Sequence, residues 1–158
     1  VQGGGSRDLI PEAYYMFARC YYEMSPKSQL DQTNTSRAID ALQNFVEAYP
    51  SHPKAAEAEK LVLELISKLA KKDYEIAVLY EKMENRESAL VYYTGVTDRY
   101  YNTEFADDAT VGRIRMLLRL KRWALAEKAV KEFLERYPDS PLRSEVDALQ
   151  RELATASR

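Results

Sequence analysis

Residues 38–50 read AIDALQNFVEAYP, and nearly the same tail returns at 89–101 (ALVYYTGVTDRYY) and at 126–138 (AEKAVKEFLERYP). Each copy opens on a small residue, Ala38, Ala89 or Ala126, and carries a bulky or β-branched residue seven positions later, Phe45, Val96 or Phe133. Each closes on Tyr49-Pro50, Tyr100-Tyr101 or Tyr137-Pro138. Small residues allow a neighbouring helix to approach closely, Phe and Tyr fill the space between layers, and Pro ends the helix because it cannot extend it. A tail that returns in this way predicts a stack of similar helical units.

Composition agrees. The chain has 158 residues, only five Gly, and abundant Ala, Leu, Glu and Lys, which favour helix over sheet. That length suits one domain with a real core. We therefore expect residues 8–158 to form a single helical-repeat domain and residues 1–7, VQGGGSR, to be a separate linker-like segment. The GGGS stretch reads either as a fusion joint or as a natural Gly-rich turn, and without a signal peptide the chain reads as a fragment or processed form. A formal net charge of −2 argues against nucleic-acid binding, which normally shows a basic excess. No apolar run approaches the roughly 20 residues of a membrane span. The lone cysteine, Cys20, rules out an internal disulfide framework.

The tails resemble the second helix of a tetratricopeptide repeat, a 34-residue helix-turn-helix unit. First helices fit at 13–24, with Ala13, Ala18 and Tyr21 at the small, small and aromatic positions, and at 74–89, with Ala77 and Tyr80. A looser one lies at 108–126, where Trp123 stands three residues before Ala126. This predicts an all-α solenoid of about three repeats, closed by a C-terminal capping helix in PLRSEVDALQRELATASR. Pro50 and Tyr101 are 51 residues apart, one repeat plus 17. With Leu61, Leu65 and Leu69 at helical spacing, residues 54–83 read as one helix about 45 Å long, a break near Lys71–Asp73 being the alternative. SPKSQLDQT (25–33) is an insertion in the first helical pair. There Pro26 helps stop the first helix, Asp31, Thr33, Asn34 and Thr35 are candidate caps for the second, and Leu30 is expected to tuck against the pair.

Catalysis finds little support. His52 lies in a polar turn, and Cys20 lies mid-helix near Phe17 and Met24, where a buried small hydrophobe is the expected role. No Gly-rich phosphate loop exists, and we assign no catalytic, metal or cofactor residue. Binding is the better class. The resemblance to tetratricopeptide repeats places Tyr15, Arg19 and Tyr22, then Tyr74, Val78 and Glu81, then Val111, Arg115 and Arg119, on the concave face. On a helical wheel Arg115, Arg119 and Arg122 fall within about 60°. They form either a basic stripe for an acidic peptide or an ordinary solvated face. Of the adjacent tyrosines 14/15, 21/22, 92/93 and 100/101, one of each pair is expected to pack between layers and the other to face solvent. Apolar surface is expected near Leu9, Ile10 and Tyr14, favouring self-association.

The irregular parts carry a narrower resemblance. CYYEMSP, then LDQT, AIDALQNFVEAYP, KLAKKDYEIAVLYE and EFADDA together resemble the BamD (YfiO/ComL) family, lipoproteins of the outer-membrane β-barrel assembly machinery. The similarity runs over roughly residues 8–145. It implies five repeats behind a lipid-anchored cysteine, of which this chain would hold the C-terminal three. It also implies a scaffold in the periplasm, at the inner face of the outer membrane, that docks the POTRA domain of BamA alongside other subunits of that machinery. Some members carry a basic POTRA-contacting residue at the position of Tyr92, and this chain departs from them there. Tyr15, Arg19, Tyr22, Leu30, Asp31, Tyr92, Arg115, Arg119 and Arg122 are the candidate partner-binding residues. A generic periplasmic repeat binding an extended or helical peptide in its groove is the alternative.

Overall fold

In a computed structural model, residues 5–156 are described. Seven α-helices and no strand occur among them: α1 (Gly5–Glu23), α2 (Thr33–Ala48), α3 (Ala55–Lys82), α4 (Arg86–Arg99), α5 (Ala106–Arg119), α6 (Trp123–Arg136) and α7 (Arg143–Ala156). The all-α, tetratricopeptide-like repeat follows from the tails. Ala38, Ala89, Ala126, Phe45, Val96 and Phe133 are all fully buried. Tyr49, Tyr100 and Tyr137 each cap a helix, the backbone N–H donating to the carbonyl of Phe45, Val96 or Phe133 at 2.8–2.9 Å.

The turn after each tail is also the same. The N–H groups of His52, Thr103 and Ser140 donate to the carbonyls of Tyr49, Tyr100 and Tyr137 at 3.0–3.2 Å, and those of Ala55, Ala106 and Arg143 continue the pattern three residues on. Tyr101 in place of proline leaves this turn intact, because proline supplies no bond to it.

Long α3 is unbroken through Lys71–Asp73. Packing nevertheless divides the chain into two compact units, one reaching Leu69 and the other starting at Ala70. In the first, Tyr15 and Ala18 of α1 pack with Leu42 and Phe45 of α2 and with Ala58, Leu61 and Leu65 of α3. In the second, Ala77 of α3 joins Tyr93, Ile114, Met116, Leu117, Phe133 and Val146 in one core. Gly112 of α5 is needed there: a Cβ at this position would lie 2.5 Å from the Tyr93 ring.

Within the second unit, both helical hairpins turn through a non-glycine residue in the left-handed region, Glu84 (φ 57°) and Lys121 (φ 58°). The next residue's N–H then reaches back five positions, Asn85 to Tyr80 and Arg122 to Leu117, which closes the helix end. The α1–α2 connection is built differently. Gln32 is buried, and its side-chain amide donates to the carbonyls of Lys27 (2.8 Å) and Leu30 (2.9 Å). Its Oε1 accepts from the Thr35 hydroxyl at 2.6 Å, and Thr35 in turn meets Ser25 at 2.6 Å.

Several local expectations are corrected. Leu30 is 57 % exposed, and Ser28 and Gln32 occupy the interior of the loop because their polar groups satisfy its backbone. Gln32 is the N-cap residue of α2 but caps with no side-chain bond, while Asp31 accepts the Thr33 N–H at 3.0 Å. Arg122 is not on α5, which ends at Arg119; the left-handed Lys121 breaks the wheel between them. Cys20 is exposed rather than buried, as is Ala13, because Tyr15 and Ala18 define the inward face of α1. Helix α1 also starts earlier than expected, taking in Gly5–Arg7 and enclosing Pro11; Val1–Gly4 of the linker-like segment lie outside the described residues. Tyr14/Tyr15, Tyr92/Tyr93 and Tyr100/Tyr101 each divide into a more buried and a more exposed member, whereas Tyr21 and Tyr22 are both half-buried. Leu9 and Ile10 are exposed, and Tyr14 marginally so.

Candidate partner-binding surface

In the first unit, residues 15, 19 and 22 follow one face of α1 at helical spacing. Tyr15 is buried, and its hydroxyl has no hydrogen-bond partner among the described residues. Burial, then the nearby Glu57 carboxylate, holds the Tyr15 phenol above its ordinary pKa. Arg19 bridges Glu23 at 2.7 Å and Glu57 at 3.2 Å and lies 5.4 Å from the Tyr22 ring centre. The Tyr22 hydroxyl donates to Glu64 at 2.9 Å, a bond that, with burial, raises its pKa. Glu57 and Glu64 stand seven residues apart on α3, so two turns of that helix present both carboxylates on one side. Leu30 and Asp31 sit on the separate α1–α2 loop.

The second unit holds a tighter cluster. Glu81 of α3 accepts from the Tyr93 hydroxyl at 2.6 Å and from both Nε and Nη2 of Arg115 at 3.1 Å. Arg119 lies 3.4 Å from the same carboxylate, and the remaining Arg115 nitrogen reaches Glu145 of α7 at 2.8 Å. Burial pushes the Glu81 carboxyl up, but the hydrogen bonds from Arg115 and Tyr93 and the two guanidinium charges outweigh it, and its pKa is lowered. Tyr93 is raised by burial and then by Glu81. Desolvation works against the charge of Arg115, yet Glu81 and Glu145 hold it above its usual value. Arg122 pairs with Glu87 at 2.7 Å, and Tyr92 stacks on Tyr80 with centres 5.6 Å apart.

Arg115 and Arg119 therefore converge on Glu81, whereas Arg122 belongs to a separate, exposed pair. None of the three presents an unopposed charge. The carboxylates Glu57, Glu64, Glu87 and Glu145 were not singled out in the sequence, although the Glu57/Glu64 spacing was readable there. His52 stacks edge-on against Phe45 at 5.3 Å, and its Nδ1 accepts the Lys54 N–H at 3.2 Å, a turn-stabilising role. Among the described residues, no three His, Cys, Asp or Glu side chains are grouped to hold a metal ion. No helix among them is long and apolar enough to cross a membrane.

Comparison with known proteins adds what geometry cannot. The YfiO family model, described as outer membrane lipoprotein, matches residues 6–120, which covers α1 through α5. The chain belongs to the YfiO family. It is also similar to the outer membrane protein assembly factor BamD of Caulobacter vibrioides, at 29 % identity over 97 residues. That alignment takes in 61 % of this chain but 32 % of the relative, so the chain spans about a third of the relative's length. The YfiO match takes in Tyr15, Arg19, Tyr22, Tyr92, Arg115 and Arg119 together with the α1–α2 loop; Arg122 and helices α6 and α7 lie beyond it.

Proposed function

We propose that this chain is a non-enzymatic docking scaffold of the outer-membrane β-barrel assembly machinery, its repeats binding the periplasmic POTRA domain of BamA. The supporting observation is the family match over residues 6–120, together with the BamD relative. On this reading the chain works in the periplasm at the inner face of the outer membrane, and its full-length counterparts are held there by a lipid anchor. Other subunits of the machinery are its further partners.

The chemistry of the surface suits such a role. Tyr80 and Tyr92 offer a stacked aromatic pair where some relatives carry a basic contact, so recognition here relies on aromatic area and hydroxyl groups. Paired arginines hold the helices in register rather than steering a partner by charge. In a pull-down, the chain retains purified BamA POTRA domains and Tyr92→Asp weakens retention at least about tenfold; equal retention by wild type and variant removes Tyr92 from the contact.

One observation favours a peptide-binding reading. Tyr15, Met16, Cys20 and Met24 line a groove along α1 whose other lining residues are charged, Arg19 and Lys54 being paired there with Glu23 and Glu57. Met16 and Met24 are 55 % and 58 % exposed, and Met side chains adapt to varied partners. Under that reading an extended apolar peptide binds the chain and Met16→Asp abolishes binding, while POTRA retention is unchanged.

A further inference from the structure

On the second unit, Thr97 of α4, Thr110 and Arg113 of α5, and Lys128, Glu132 and Arg136 of α6 line a polar cleft of about 260 Å³. None of these residues belongs to the candidate partner-binding surface. The floor is formed by Thr97 and Thr110, each 4 % exposed, whose hydroxyls donate to their own helices at the carbonyls of Thr94 (2.9 Å) and Ala106 (2.7 Å). The donors left facing the cleft are therefore guanidinium and ammonium groups.

Their charge is incompletely answered. Glu132 is shared, with one oxygen 3.3 Å from Arg113 and the other 3.7 Å from Lys128. Arg136 lies 5.9 Å from the Tyr101 ring centre and forms no ion pair among the described residues. Asp98, also on the rim, accepts from the Thr97 hydroxyl at 3.4 Å and pairs with no cation among them. Three cations thus meet two carboxylates, of which Asp98 pairs with no cation among the described residues. A planar guanidinium matches a carboxylate through two parallel N–H bonds. A dianion is disfavoured, because Glu132 and Asp98 remain in place.

We propose that this cleft binds one carboxylate group of a peptide ligand, held by Arg136 and Arg113 against Glu132. The group is either an acidic side chain or a chain end, and these share the same chemistry. The test is NMR titration of the whole chain, following the arginine Nε–H signals. The probes are N-acetylglutamate α-amide for the side chain and N-acetylglycine for the chain end, with methyl phosphate and chloride at matched ionic strength as controls. We expect saturable shifts at Arg113 and Arg136 with at least one carboxylate, and the stronger probe identifies the source. Arg136→Gln weakens binding at least about tenfold. Glu132→Gln strengthens it several-fold by removing the internal competitor, a gain that a purely structural Glu132 would not give. The proposal is overturned if chloride gives the same shifts, if methyl phosphate binds more tightly than either carboxylate, or if Arg136→Gln leaves the titration unchanged.

Discussion

Replacing Arg115 with methionine isolates the cluster that ties α3 to α5 and α7. Met keeps most of the apolar stem, so the change removes the guanidinium rather than the packing. Glu81, 16 % exposed, loses two charge-assisted hydrogen bonds of about 1.5–3 kcal/mol each, while Tyr93 and Arg119 remain beside it and offset part of the loss. The Glu145 pair is more exposed and adds only about 0–1 kcal/mol. The expected cost is about 2–3 kcal/mol at pH 7, below the roughly 3–5 of a fully buried pair. Urea melts measure it, with a fall in Tm of about 5–10 °C by calorimetry. Because the Glu81 carboxyl is held below its unfolded value of 4.5, its contribution is complete above that pH and is lost as pH falls through the folded value. The gap between wild type and variant should therefore narrow below pH 4.5. A cost under about 0.5 kcal/mol, or a gap independent of pH, would refute this account of the cluster.

Arg122→Ala breaks an exposed pair and should change stability by no more than about 0.5 kcal/mol in the same melts. Gly112→Ala drives a methyl group into the Tyr93 ring, which is held in place by its hydroxyl's bond to Glu81, and should cost about 1–3 kcal/mol. Gln32→Ala removes the side-chain donor to the Lys27 and Leu30 carbonyls and the acceptor of the Thr35 hydroxyl, so a loss of about 1–3 kcal/mol is expected, with faster amide exchange across residues 25–35. Lys121→Gly relieves a left-handed non-glycine residue and should raise stability by up to about 1 kcal/mol.

Much of this fold was legible because the repeat writes its packing into residue size. Ala38, Ala89 and Ala126 with Phe45, Val96 and Phe133 located three buried helix faces, and the Leu61-Leu65-Leu69 spacing located α3. What stayed hidden depends on partners distant in sequence. Nothing near Leu30 shows that Gln32 rather than Leu30 fills the loop, since the outcome rests on backbone carbonyls that only the folded turn exposes. The arginines on α5 were readable as a group, but their neutralisation required Glu81 and Glu145, 34 and 30 residues from Arg115. Lys121 broke the helical wheel because a left-handed turn needs no glycine when the following N–H closes the helix end. Cys20 read as buried because its helical neighbours Phe17 and Met24 are apolar, yet both are themselves exposed, so that face of α1 does not enter the core.

The most direct test of the docking reading is isothermal titration of the whole chain with the purified periplasmic POTRA domains of BamA from the same organism. The account predicts saturable one-to-one binding with a dissociation constant in the micromolar range or tighter, weakened by Tyr92→Asp. No measurable heat or retention at micromolar concentrations would contradict it.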